Sequence, residues 1–187
     1  MVEPNSAVTA ISSIAATVKD MKDILDIFPI GIVLPPNKGK LIKLKDNIRH
    51  LEIECIKLSQ LIRNYSSLLS EVRIAKALSD KAYELIMFVP DLGSGQLAIF
   101  SNDIETRHGV INRDINRLPV IDATEAGVME RELTIIRDLI RDLKKDVQSN
   151  DGSVKRTFAD ISTHYADLEG ILSSLLEKLF QNLGESH

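Results

Sequence analysis

The chain has no tryptophan and a single cysteine, Cys55, and five Phe and three Tyr carry all of its other large aromatic rings. One cysteine excludes an internal disulfide, and its place inside a helical pattern predicts a small buried hydrophobe rather than a nucleophile. That usage also points to a cytoplasmic address. No aromatic residue is interleaved with the one basic run, Lys38 to Arg49, which argues against nucleic-acid binding. Proline numbers six and glycine nine, and nearly all fall between periodic segments or at their ends, the punctuation of an all-helical protein. No apolar run approaches the roughly 20 residues needed to span a bilayer. Residues 1–18 are poor in charge but include Glu3 and no basic residue, which is not the pattern of a secretory signal. The net charge is −4, so no global field draws the chain towards nucleic acid or an anionic membrane.

What is present is ordinary for a globular protein: 44% hydrophobic and 27% charged residues in 187, enough to bury a core without metal or disulfides. The apolar residues recur every three or four positions, the period of one helix face. In the last third, Met129, Leu133, Ile136, Ile140, Leu143 and Val147 form one such stripe. Val154, Phe158, Ile161, Tyr165, Leu168, Leu172, Leu175 and Leu179 form another, after a turn at Asn150-Asp151-Gly152. Beside these seams lie Ile135, Leu139, Ile171, Leu176, Phe180 and Leu183. They widen a coiled-coil stripe into a face that touches more than one neighbour.

Upstream, a first helix is predicted after Asn5 or Ser6, with Ile11, Ile14, Val18, Met21, Leu25 and Phe28 inward and Pro29 as its stop. A second runs from Lys40 towards Val89 through Leu44, Ile48, Leu51, Cys55, Leu58, Ile62, Tyr65, Leu69 and Val72. Its phase then slips to Ala75, Leu78, Ala82, Leu85 and Val89. Fifty residues of helix would reach about 75 Å, so a break near Asn64–Ser67 competes with one long helix loosened around Asn64 to Ser70. The spacing favours the long helix, because neither proline nor glycine interrupts it. A third helix follows Pro90–Gly95 with Leu97, Phe100, Ile104, Ile111, Ile115 and Leu118 inward. Asn102 with Glu105 has capping-box spacing, so regular helix could start only there; Pro119 ends it. Asp122 with Glu125 offers a similar start for the fourth helix. The expected architecture is an all-α antiparallel bundle of about five long helices, connected up and down and closed by a C-terminal hairpin. Residues 1–187 are read as one domain, either alone or as a module of a larger protein.

Motifs for chemistry are sparse. A di-iron bundle needs two Glu-x-x-His pairs; Glu105 with His108 is one, and Asp160 with His164 has the wrong spacing. His108 falls on the inward stripe, where a hydrogen-bonded structural histidine is expected. His50 and His164 lack the lysine and glycine surroundings of a phosphotransfer histidine, and His108-Gly109 lacks the lysine. Gly93-Ser94-Gly95 is too short for a phosphate loop, and no nucleophile elbow or zinc helix occurs. No enzyme activity, catalytic residue, cofactor, metal ligand or small-molecule substrate is therefore expected. The charge pairs Arg137-Asp138, Arg141-Asp142 and Lys145-Asp146 read as a solvated helix face.

Two stretches remain for partners. Ile30, Ile32, Val33 and Leu34 are too apolar for a solvated loop. They either tuck into the end of the bundle or form a patch that meets a protein partner. Lys38, Lys40, Lys43, Lys45 and Arg49 make a basic patch at a helix start, where cations oppose the macrodipole. The leading expectation is a non-catalytic protein–protein interaction, scaffold or oligomerisation bundle. The alternative is a membrane-active bundle making peripheral contact through the N-terminal helix and the 29–39 loop, with the basic patch at the headgroups. A metal-binding or phosphotransfer bundle ranks third, and a nucleic-acid partner is not expected.

Overall fold

A single carboxylate caps the start of the helix that follows Pro119. Oδ1 of Asp122 accepts the backbone N–H groups of Thr124 at 2.8 Å and Glu125 at 3.2 Å, closing donors that a helix start otherwise leaves unpaired. The structure is a computed structural model that describes residues 16–20, 38–89, 92–120, 122–149 and 152–184. Four long helices run in order: α1 Lys38–Phe88, α2 Ser94–Ile115, α3 Ala123–Ser149 and α4 Val154–Gly184. Residues 16–20 are helical as well. No strand occurs among the described residues, and the chain is an all-α helical bundle.

The chain clusters into two compact units. One comprises residues 64–118 and 122–177; the other comprises 1–63, 119–121 and 178–187. In the first, polar bonds link each helix to two others. Glu71 of α1 accepts Nη1 of Arg107 of α2 at 2.7 Å, and Glu105 of α2 accepts Nζ of Lys144 of α3 at 2.6 Å. Glu125 of α3 accepts the Ser174 hydroxyl of α4 at 3.2 Å, and Glu169 of α4 accepts Nε of Arg73 of α1 at 2.7 Å. The circuit α1–α2–α3–α4–α1 is therefore closed.

The directions follow from the same bonds. As α1 rises through Arg73, Asp80 and Tyr83, its partners on α4 fall through Glu169, Ser162 and Lys155, the last as an ammonium 5.4 Å from the Tyr83 ring centre. Along α3, Glu125, Glu132 and Asp146 meet Ser174, His164 and Ser153. Both pairs of helices are antiparallel, as the sequence pattern predicts.

All six inward positions predicted for α3 and all eight predicted for α4 are buried. Each buried Leu or Ile contributes about 1.5–3 kcal/mol from removal of its side chain from water. Earlier segments need correction. In α1 the buried positions from Tyr65 onward are Tyr65, Leu68, Leu69, Val72, Ala75, Ser79 and Ala82. The expected phase slip does not exist: steps of three and four run from Tyr65 through Leu68, Val72, Ala75 and Ser79 to Ala82. A fully buried Ser79, its hydroxyl donating to the Ala75 carbonyl at 3.1 Å, holds the position that Leu78 was expected to fill. Asn64–Ser70 stays within the helix, so the long-helix expectation holds there. In α2 the helix begins at Ser94, not at Asn102. Backbone bonds from Gln96 and Leu97 to the Gly93 carbonyl close its first turn without a side-chain cap. Its buried line is Leu97, Ser101, Ile104, His108 and Ile111, and Phe100 is only half-buried. The helix ends at Ile115, four residues before Pro119, in a turn through Leu118.

In the second unit Thr17, Glu54, Leu58, Leu61 and Leu179 are buried. Val18, Ile48 and Cys55, expected inward, are exposed, as is Phe180. Thr17 takes the inward place beside Val18, and Glu54 the one beside Cys55; the stripe is rotated by one residue from an apolar reading.

Candidate functional site

The residues singled out from sequence divide sharply. Ile30, Ile32, Val33 and Leu34 lie outside the described residues, as does most of the predicted first helix. Lys38 and Lys40 fall in the first turn of α1, where the side chains are not described. Lys43, Lys45 and Arg49 are exposed on α1. Lys43 Nζ stands 3.9 Å from Asp20 Oδ2, both well exposed, a spacing that contributes little to stability in water. In its described part, the basic stretch is exposed to solvent.

Three other arrangements emerge in the unit of residues 64–118 and 122–177. First, α3 and α4 bring Glu132 against His164, Nδ1 to Oε2 at 2.7 Å. The Glu132 side chain is 6% exposed, and its other oxygen accepts Nη2 of Arg131 at 3.2 Å. Asp167 lies one helical turn beyond His164, and the three residues offer ligand atoms within 4.8 Å of one another. A carboxylate, an imidazole and a second carboxylate are a donor set that suits zinc or manganese. His164 and Arg131 between them meet both oxygens of this buried carboxylate, as a carboxylate at a core position requires. The sequence reading missed it because Glu132 and His164 sit on different helices. A signal existed: Glu132 lies three after Met129 and four before Ile136, on the inward face.

Second, a cleft of about 410 Å³ is lined by Glu105 and His108 of α2 and by Arg137, Arg141, Lys144 and Lys145 of α3. His108 is buried, and its Nδ1 meets no hydrogen-bond partner. The expected burial is found, and Nδ1 makes no hydrogen bond. Burial, with the nearby Arg137 charge, pushes the imidazole pKa down to about 4. His108 is therefore neutral at pH 7.

Third, α1 carries a second apolar line apart from its buried one. Ile74, Leu78, Leu85 and Phe88 recur at helical spacing. Ile74 is 38% exposed and Phe88 80%, while Leu78 and Leu85 are half-buried. Around Ile74, Ala77 and Leu78 this face forms an open groove of about 440 Å³ flanked by Arg73 and Lys81. Met87 and Val89 beside Phe88, and Ile99 early in α2, are also exposed large apolar residues. The sequence reading assigned Leu78 and Leu85 to the core stripe and so missed the second face.

Two further buried groups shape the surroundings. Burial, helped by the Glu125 charge, pushes the Tyr65 phenol up to about 12, and burial alone raises Tyr165 further. Partial burial raises the Asp80 pKa, but hydrogen bonds from Ser162 and Lys76 and the Lys76 charge outweigh it, leaving the carboxyl below its ordinary range. No helix among the described residues is long and apolar enough to cross a membrane. No family model, curated protein or solved structure matches the chain.

Proposed function

We propose that this bundle is a non-catalytic interaction module that binds a helix, from a protein partner or a second copy of the chain, along the outer apolar face of α1. The observation that carries the reading is the line Ile74, Leu78, Leu85 and Phe88, which leaves a phenyl ring 80% exposed at the end of a long helix. Large apolar side chains at helical spacing on an outer face match helix-in-groove recognition, in which anchors recur every three or four residues. Arg73 and Lys81 beside the groove suit a partner helix with acidic residues flanking its apolar stripe. The exposed single thiol of Cys55 supports a reducing, cytoplasmic setting for this activity.

The test is light scattering coupled to size-exclusion chromatography, on the wild-type chain and on an Ile74→Glu/Phe88→Glu variant. Both altered positions are exposed, so the variant should keep the wild-type melting temperature. The expected result is a wild-type assembly, or a complex with an acidic amphipathic peptide, that the variant loses. A wild-type monomer that binds no helical peptide would sink the reading.

A further inference from the structure

We propose that the cleft between α2 and α3 is a binding site for a small polyphosphorylated ligand, held by Arg137, Arg141, Lys144 and Lys145 and oriented by His108. This site is separate from the α1 face, and either can fail without the other.

The cations stand along one helix. Arg137 and Arg141 are one turn apart, and Lys144 and Lys145 follow one turn later, so the positive groups extend over about 12 Å of axis at 1.5 Å per residue. Such a row fits several phosphoryl groups in sequence better than a single one. Guanidinium forks offer paired donors to phosphate oxygens, and the ammonium groups add compact charge. Across the cleft stands one acid, Glu105, already engaged by Lys144 at 2.6 Å.

Each cation has an acidic neighbour, and those contacts are the obstacle to weigh. Arg137 Nε stands 3.7 Å from Asp138, and Arg141 reaches Asp138 at 3.3 Å and Asp142 at 3.8 Å. Lys145 reaches Asp142 at 3.1 Å. These are exposed pairs between groups close in sequence on one helix, each contributing little in water. A guanidinium has five N–H donors, so Arg137 and Arg141 keep donors for a ligand without releasing their aspartates.

The buried imidazole distinguishes this cleft from an ordinary charged surface. His108 is 8% exposed, lines the cleft, and has an Nδ1 with no partner. Buried polar atoms in folded proteins are overwhelmingly paired, and leaving one unpaired costs stability that an apolar residue at this core position would not. Nδ1 is closed to solvent as the ring stands, so a phosphate oxygen between the α3 cations gains it as a donor by a turn of the neutral ring towards the cleft. The same negative charge offsets Arg137, so ligand binding favours protonation of His108.

Calorimetric titration with tripolyphosphate, using orthophosphate for comparison, tests the site on the full chain. The expected result is saturable 1:1 binding of tripolyphosphate, with orthophosphate much weaker. An Arg141→Gln/Lys145→Gln variant should lose at least about tenfold in affinity. Glu105→Gln should bind tighter than wild type, because it removes the facing carboxylate and frees Lys144; a merely structural role for Glu105 gives no such gain. The His108 ring resonances should move on titration, with the pKa of the ring rising. As a control, Arg113→Gln/Arg156→Gln removes the same charge at exposed positions elsewhere and should leave affinity within about twofold. No saturable binding, equal losses in the cleft and control variants, or unmoved His108 resonances would each overturn the proposal.

Discussion

His164 Nδ1 lies 2.7 Å from Glu132 Oε2, joining α3 to α4 across 32 positions of chain and giving a nearly buried carboxylate its cross-helix partner. Glu132 therefore occupies a core position at the cost of depending on one side chain from another helix, with Arg131 as its second contact. His164→Ala leaves the carboxylate with less than it needs and should cost about 1–3 kcal/mol in urea denaturation. Asp167→Asn, at an exposed position in the same cluster, should change stability by less than about 0.5 kcal/mol. Equal costs for the two would show that the pair does not act as described.

Acid should weaken the fold through His108. Its folded pKa of about 4 lies below the ordinary 6.5, so below pH 6.5 the unfolded chain binds a proton that the folded one refuses. The stability this provides is whole above about pH 6.5 and is lost as pH falls through about 4, roughly 3 kcal/mol in all. In His108→Leu the loss over that window should shrink, as read from melting temperatures in chloride buffers.

Alkali should weaken it through the two buried phenols. Tyr65 and Tyr165 keep their protons to higher pH in the folded chain than the ordinary value of 10.0. Above about pH 10 the unfolded chain releases protons that the folded one retains, so stability falls as pH rises from there. Phenolate absorbance should develop together with loss of helical circular dichroism. Tyr65→Phe and Tyr165→Phe should each flatten that alkaline decline.

Neighbouring positions on α4 should respond very differently to truncation. Leu172 is fully buried and Phe180 is 55% exposed. Leu172→Ala should cost about 2–5 kcal/mol by removing packed methyl groups and leaving a cavity. Phe180→Ala should cost less than about 0.5 kcal/mol despite removing more carbon. Denaturant midpoints for the two variants decide whether the inward face of α4 is oriented as stated.

The α3 and α4 seams were legible in the sequence because an unbroken line of apolar residues, with one tyrosine in α4, marks each inward stripe, and the Asp122 cap stands immediately before its helix. Reading failed where a polar residue takes the place of an apolar one in the inward line. Ser79 in α1, Ser101 in α2 and Glu54 beside Cys55 are all buried, and a search for apolar periodicity steps around each of them. Ser79 is concealed by a bond to its own helix backbone, which no spacing rule registers. The Glu132–His164 cluster was illegible for a different reason: its members share a site only once two helices pack antiparallel. The cleft at His108 was half visible, since burial of the histidine follows from Ile104 and Ile111 on either side. Its cations, read one helix at a time, were indistinguishable from a solvated face.

The circuit of polar bonds has a kinetic side. Three of its contacts join helices that follow one another in sequence, across short connections. The fourth, from α1 to α4, spans 96 positions at Arg73–Glu169 and must bring distant parts of the chain together, at an entropic cost that grows with the logarithm of the enclosed length. This seam is expected to form after the others, on the native side of the folding barrier. Loss of Arg73 should then leave the refolding rate nearly unchanged and speed unfolding. The seam between α1 and α4, of which this pair is one contact, is thus expected to bear on how long the assembled unit survives rather than on how quickly it is made.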